Sequence, residues 1–95
     1  MGDLPGCHTY SGTLLAAGAT LTPASQIGTN AKKGSIKNDG SGGINLQLKC
    51  KGSTKLSNSH LLNNNEAFDI DGLDISEIKL IHTGTNANYR IFVSR

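Results

Sequence analysis

The sequence predicts an all-β protein, a small antiparallel β-sandwich or jelly-roll-like barrel of about six to eight short strands, and three observations carry that reading. Between Gly43 and Lys51, the residues Ile44, Leu46, Leu48 and Cys50 alternate strictly with Asn45, Gln47, Lys49 and Lys51. A period of two describes a strand with one face in a core and the other in water. The same alternation returns where Ile78 and Leu80 stand against Glu77 and Lys79, and where Tyr89, Ile91 and Val93 stand against Arg90 and Ser94. Twelve glycines, with many Asn, Ser and Thr, supply the turns that short strands need and that long helices do not tolerate.

Along the chain, Met1 to Gly12 is polar and broken by Pro5 and glycines, which predicts an extended or flexible N-terminal arm ahead of a single β-sandwich domain over residues 13–95. Thr13 to Leu21 reads as two short strands joined at Ala17-Gly18, because Gly18 and the following Thr22-Pro23 oppose a helix. Pro23 to Lys33 reads as a loop. Gly34 to Asn38 is a strand around Ile36, and the turn Asn38-Asp39-Gly40-Ser41-Gly42-Gly43 predicts a hairpin onto the alternating strand that follows. Gly52 to Asn65 is a polar connection, anchored by Leu61 and Leu62. A strand over Glu66 to Asp71, a turn at Asp71-Gly72, a strand over Ile75 to Thr83, a tight turn at Gly84 to Ala87 and a last strand over Asn88 to Ser94 complete the pattern. The predicted core is Ile36, Ile44, Leu46, Leu48, Phe68, Ile70, Ile78, Leu80, Ile91 and Val93. Gly-Thr-Asn-Ala occurs at Gly28 and again at Gly84, but the flanks differ, so it marks two turns and no repeat.

Ninety-five residues allow one domain with a modest core. That core is aliphatic, since the chain has no Trp, two Tyr and two Phe. Nine basic and seven acidic residues are spread evenly, without the basic run and aromatic interleaving of a nucleic-acid binder. Neither a membrane span nor an export signal is legible, so the chain reads as soluble. Cys50 falls on the apolar face of its strand, where a free thiol behaves as a small hydrophobe, and Cys7 and Cys50 are read as two free thiols.

No motif for catalysis emerges. Asp69, Asp71 and Asp74 form the densest acidic cluster, and Asp-Ile-Asp-Gly opens like a calcium loop. Counted from Asp69, however, the fifth, sixth and twelfth positions hold Leu73, Asp74 and Leu80 where the loop needs an oxygen ligand, Gly and Glu. His8, His60 and His82 are too scattered for zinc spacing, and His82, in phase with Ile78 and Leu80, reads as a partly buried histidine at a strand end. No serine lies in a nucleophile elbow, a thiol at Cys50 facing the core is no nucleophile for His60, and Gly40 to Gly43 precedes no helix that would complete a phosphate loop. The sequence therefore predicts no catalytic residue, metal or cofactor. What it offers is a candidate partner interface. Phe92 is out of phase with Tyr89, Ile91 and Val93, which leaves apolar surface on both faces of one strand. Phe92 with the two tyrosines, Tyr10 and Tyr89, forms that candidate, and burial between copies predicts a homo-oligomer.

The cadence Leu62-Asn63-Asn64-Asn65-Glu66-Ala67-Phe68-Asp69-Ile70-Asp71-Gly72-Leu73-Asp74-Ile75, then Ile78-Lys79-Leu80 and Tyr89-Arg90-Ile91-Phe92-Val93, together with Ile36 to Gly40 and Ile44 to Leu48, resembles the small β-sandwich structural proteins of tailed bacteriophage particles. The resemblance covers Gly34 to Val93 and lies in strands and turns. It implies a non-enzymatic virion component, a capsid decoration or cement protein. Such a protein binds the major capsid protein or another virion protein, in a particle assembled in the host cytoplasm. A tail fibre or baseplate accessory domain shares that context, and a carbohydrate-binding module shares the sandwich, although such modules usually present Trp or Tyr platforms.

Overall fold

The computed structural model describes residues 5–40, 42–84 and 87–95. Seven strands and one helical turn follow in the order β1 (Cys7–Leu14), β2 (Ala19–Leu21), α1 (Ala24–Ile27), β3 (Ala31–Asn38), β4 (Ile44–Cys50), β5 (His60–Leu62), β6 (Ala67–His82) and β7 (Ala87–Ser94). All pairings are antiparallel, in the order β1-β7-β3-β6-β4-β5, with β2 also on β6.

β6 explains how one sheet becomes a sandwich. Its first half, Ala67 to Ile75, pairs with β3, and its second half, Ile75 to His82, pairs with β4 and β2. The strand thus passes from a first layer, β1-β7-β3-β6, into a second, β2-β6-β4-β5, in the way strands turn the corners of packed sheets. A register shift near Ile75 on both sides and a positive φ of 76° at Gly72 mark the corner. The inner faces close on one aliphatic core containing Leu14, Ile27, Ile36, Ile44, Leu46, Leu48, Leu62, Ile70, Ile75, Ile78, Leu80, Ile91 and Val93. Nine of the ten predicted core residues are buried; Phe68 packs on the core only partly buried.

Several boundaries differ from the sequence reading. The N-terminal arm does not extend to Gly12, because Cys7 to Leu14 pairs residue for residue with β7 and belongs to the sheet; residues 1–4 lie outside the described residues. The predicted join at Ala17-Gly18 is a turn closed by Gly18 N donating to Leu15 O at 2.8 Å. The predicted loop after Pro23 contains α1, one turn ended by Gly28 at a φ of 79°, and β3 begins earlier than expected, at Ala31. Asp71-Gly72 is no turn: glycine here accepts positive φ in a bulge within one continuous 16-residue strand. The tight turn predicted at Gly84 to Ala87 includes Thr85 and Asn86, which lie outside the described residues.

The predicted hairpin between β3 and β4 does not form, because β6 stands between them in the sheet. Its turn residues instead build an arch from one layer to the other around Asn38, which is fully buried. The Asn38 side-chain amide donates to Gly42 O at 2.7 Å and Leu62 O at 3.0 Å, and its oxygen accepts from Gly40 N at 3.0 Å. On its main chain, Asn38 N donates to Glu66 O and Asn38 O accepts from Asn65 N. A buried polar residue is stable only when satisfied in this way. Ser41 lies outside the described residues.

Candidate interaction surface

Alternation along each strand sorts the side chains of the first layer between two faces. On β7, Ala87, Tyr89, Ile91 and Val93 turn inward, whereas Asn88, Arg90 and Phe92 turn outward and are exposed. Tyr10 stands opposite Ile91, Gly12 opposite Tyr89, and both Thr9 and Ser35 opposite Phe92. The three residues of the predicted interface are therefore divided between faces. Tyr10 and Tyr89 are half-buried against the core, while Phe92 stands alone on the outside, 43% exposed.

The tyrosines have structural work. The Tyr10 ring meets the His8 ring edge-on at 4.6 Å. Its hydroxyl is buried without a hydrogen-bond partner among the described residues, and burial holds it above the usual phenol range by penalising the phenolate. The Tyr89 ring lies over Gly12, where a Cβ would come within 3.3 Å of its hydroxyl oxygen.

Outside, Phe92 is bordered by Thr9 and Ser35 and followed by a small charge network. Lys37 and Arg90 are directly opposite across β3 and β7, a repulsive arrangement. Asp39 relieves it, its carboxylate receiving Arg90 Nε at 2.9 Å and approaching Lys37 Nζ at 3.7 Å. On the second layer, Leu61 and Ile81 flank Asn45, and Lys49 pairs with Glu77 at 3.6 Å. Leu15, 61% exposed, follows β1 and is the most exposed of the large apolar side chains described.

The polar candidates do not converge. His8, on β1, is three strands removed from β6; His60 lies on β5 with its ring 5.7 Å from Phe68; His82 closes β6 half-buried, its Nδ1 accepting from Gly84 N. Asp69 and Asp71 face outward on β6 opposite Ser35 and Lys33, and Asp74 pairs with Lys51 at 3.9 Å. Cys7 is an exposed free thiol, and Cys50 is a free thiol packed on the core. No cavity opens among the described residues, and none of the helices described is long and apolar enough to cross a membrane.

No protein-family model matches the chain, and no curated protein matches it in sequence. Solved structures do match in fold. Hydroxypropylphosphonic acid epoxidase from S. wedmorenis superposes with a TM-score of 0.61 at 12% identity, over 96% of this chain but 44% of the epoxidase. A sugar phosphate isomerase of the cupin superfamily from Silicibacter pomeroyi gives 0.58 at 11% identity, over 97% of this chain and 52% of the isomerase. The SPBc2 prophage-derived protein YomS gives 0.52 at 14% identity and is covered completely, as is this chain. The chain thus spans about half the length of the two enzymes. The epoxidase has been crystallised with iron(II) and cobalt(II); here no three His, Cys, Asp or Glu side chains among the described residues are grouped to hold a metal, and the inward positions between the layers are mainly aliphatic, so the residues present do not fit such an ion. What the chain shares with these proteins is an all-β fold, here seven antiparallel strands.

Proposed function

We propose that this chain is a non-enzymatic structural protein of a phage-type particle, a capsid decoration or cement subunit bound in many copies to the major capsid protein or another virion protein. The observation that carries the proposal is the end-to-end likeness to prophage-derived YomS, which matches the whole of both chains, whereas the enzymes are matched over about half their length. The packing agrees with it. Aliphatic side chains fill the space between the layers, so the outer faces and sheet edges are the surfaces on which contact is made. Phe92, exposed among Thr, Ser and paired charges, has the character of an anchor on a polar surface.

The test is binding to assembled particles. The tagged protein is mixed with phage heads and, separately, with tails, sedimented and counted per particle, and a glycan array is run in parallel. Binding to heads at a copy number set by capsid symmetry is expected. Attachment to tails alone would move the role to a fibre or baseplate accessory domain, and glycan binding without particle binding would replace the virion reading with a carbohydrate-binding one.

A further inference from the structure

Among the described residues β1 ends one side of the sheet, and the direction of its hydrogen bonds is fixed by its neighbour. Arg95 N donates to Gly6 O at 3.0 Å, and these residues are the next pair beyond Cys7 and Ser94 in the β1-β7 register. In an antiparallel ladder, hydrogen-bonded and non-hydrogen-bonded pairs alternate. His8, Tyr10, Gly12 and Leu14 therefore direct their main-chain groups toward β7. Cys7, Thr9, Ser11 and Thr13 direct theirs to the open edge, and the side chains of all four are exposed.

An open edge of eight residues is normally blunted by charge, Pro, a bulge or shortness. The other outlying strands, β2 and β5, are blunted by shortness, with three residues each. β1 has none of these devices: Cys-His-Thr-Tyr-Ser-Gly-Thr-Leu contains no Lys, Arg, Asp, Glu or Pro, and its eight pairs with β7 run without a register shift.

We propose that β1 is the self-association surface of this protein, pairing antiparallel with β1 of a second copy about a two-fold axis at Tyr10. With Tyr10 opposite itself, Thr9 meets Ser11 and Cys7 meets Thr13 of the second copy. All four outward-directed residues are then bonded on each chain, and no other antiparallel register that keeps the faces aligned uses all four. Side chains remain on matching faces, as the pleat requires. The same register sets Pro5 opposite Leu15 at each end, beside the large apolar side chain that is most exposed among the described residues. Inside, Gly12, under the Tyr89 ring of its own chain, stands opposite His8 of the second copy. Because the interface is isologous and uncharged, bringing two copies together juxtaposes no like charges across it. The inference stands apart from the virion reading, since it concerns the protein alone.

Two variants test it on purified full-length protein. Directly opposed residues in a hydrogen-bonded pair have Cα atoms about 5.5 Å apart, within the range a disulfide spans. Thr13→Cys should therefore form a covalent dimer through native Cys7 on mild oxidation, and adding Cys7→Ser should abolish it. Thr9→Glu combined with Ser11→Glu opposes carboxylates across the axis while leaving position 11 beside Arg90 in its own chain. Light scattering should show a dimer for the wild type and a monomer for this double variant, with unchanged circular dichroism. A wild type that is monomeric throughout a concentration series, or a folded Thr13→Cys protein that gives no Cys7-dependent dimer, would overturn the proposal.

Discussion

The Asn38 side-chain amide donates to the Leu62 carbonyl oxygen at 3.0 Å, joining the end of β3 in one layer to the end of β5 in the other. With the bonds to Gly42 and Gly40, it makes a small side chain the clasp of the interlayer arch. Asn38→Ala removes the clasp and leaves buried carbonyls unsatisfied, at about 1–3 kcal/mol for each buried group left unpaired. The loss is read from the urea midpoint. Asn38→Asp should cost at least as much, because a carboxylate supplies no donor to either carbonyl.

Gly34→Ala is expected to be among the most damaging single-methyl additions. Gly34 has a φ of 148° between β6 and β7, and a Cβ there would overlap the Phe92 carbonyl oxygen. Strain and overpacking together predict a loss of about 2–5 kcal/mol. Gly52→Ala serves as the comparison, since Gly52 also has a positive φ but opens onto free space, and it should cost about 1–2 kcal/mol. Equal losses in thermal unfolding would contradict the close approach at Gly34.

Leu46 and Phe92 separate folding from attachment. Leu46 is 2% exposed, and Leu46→Ala should cost about 2–5 kcal/mol by leaving a cavity. Phe92→Ser alters an outer-face position and should change stability by about 0.5 kcal/mol or less while weakening particle binding. A Phe92 variant that binds particles as the wild type does would remove this residue from the contact.

Tyr10 gives the protein an alkaline limb. Its pKa is raised in the folded state by burial, so folding favours the protonated hydroxyl. That contribution is complete below the unfolded value near pH 10 and is lost as pH rises from there through the folded value. Tyr10→Phe should flatten the fall in stability above about pH 10 relative to wild type, measured by denaturant unfolding at successive pH values. An unchanged slope would mean that the hydroxyl is as accessible folded as unfolded.

The fold was legible where side chains report their own environment. Ile44, Leu46 and Leu48 announce their strand because one face meets the core and the other meets water, and this local pattern survives any topology. Partner choice was not legible. Asn38 to Gly43 has the composition of a hairpin turn, but the amide of Asn38 reaches Leu62, a partner 24 residues away, and no local pattern reveals it. Asp71-Gly72 likewise specifies a positive φ without saying whether the chain reverses or bulges. β1 is not legible as a strand because its inward row of His8, Tyr10, Gly12 and Leu14 mixes polar and apolar residues at an edge, blurring the alternation. Of the candidate interface, the out-of-phase position of Phe92 was readable from its neighbours on β7. The inward turn of Tyr10 depends on a strand some 80 residues later in the register, and it was not.

That pairing of β1 with β7 also sets a timetable. Cys7 is matched with Ser94, so the earliest strand emerges from the ribosome long before its partner exists and waits as an unpaired, uncharged ribbon. Contacts this distant in sequence slow folding and prolong exposure. In a cell making many copies at once, two nascent β1 ribbons can meet before either finds its own β7. Yield should consequently fall with expression rate more steeply than the stability of the finished protein would suggest.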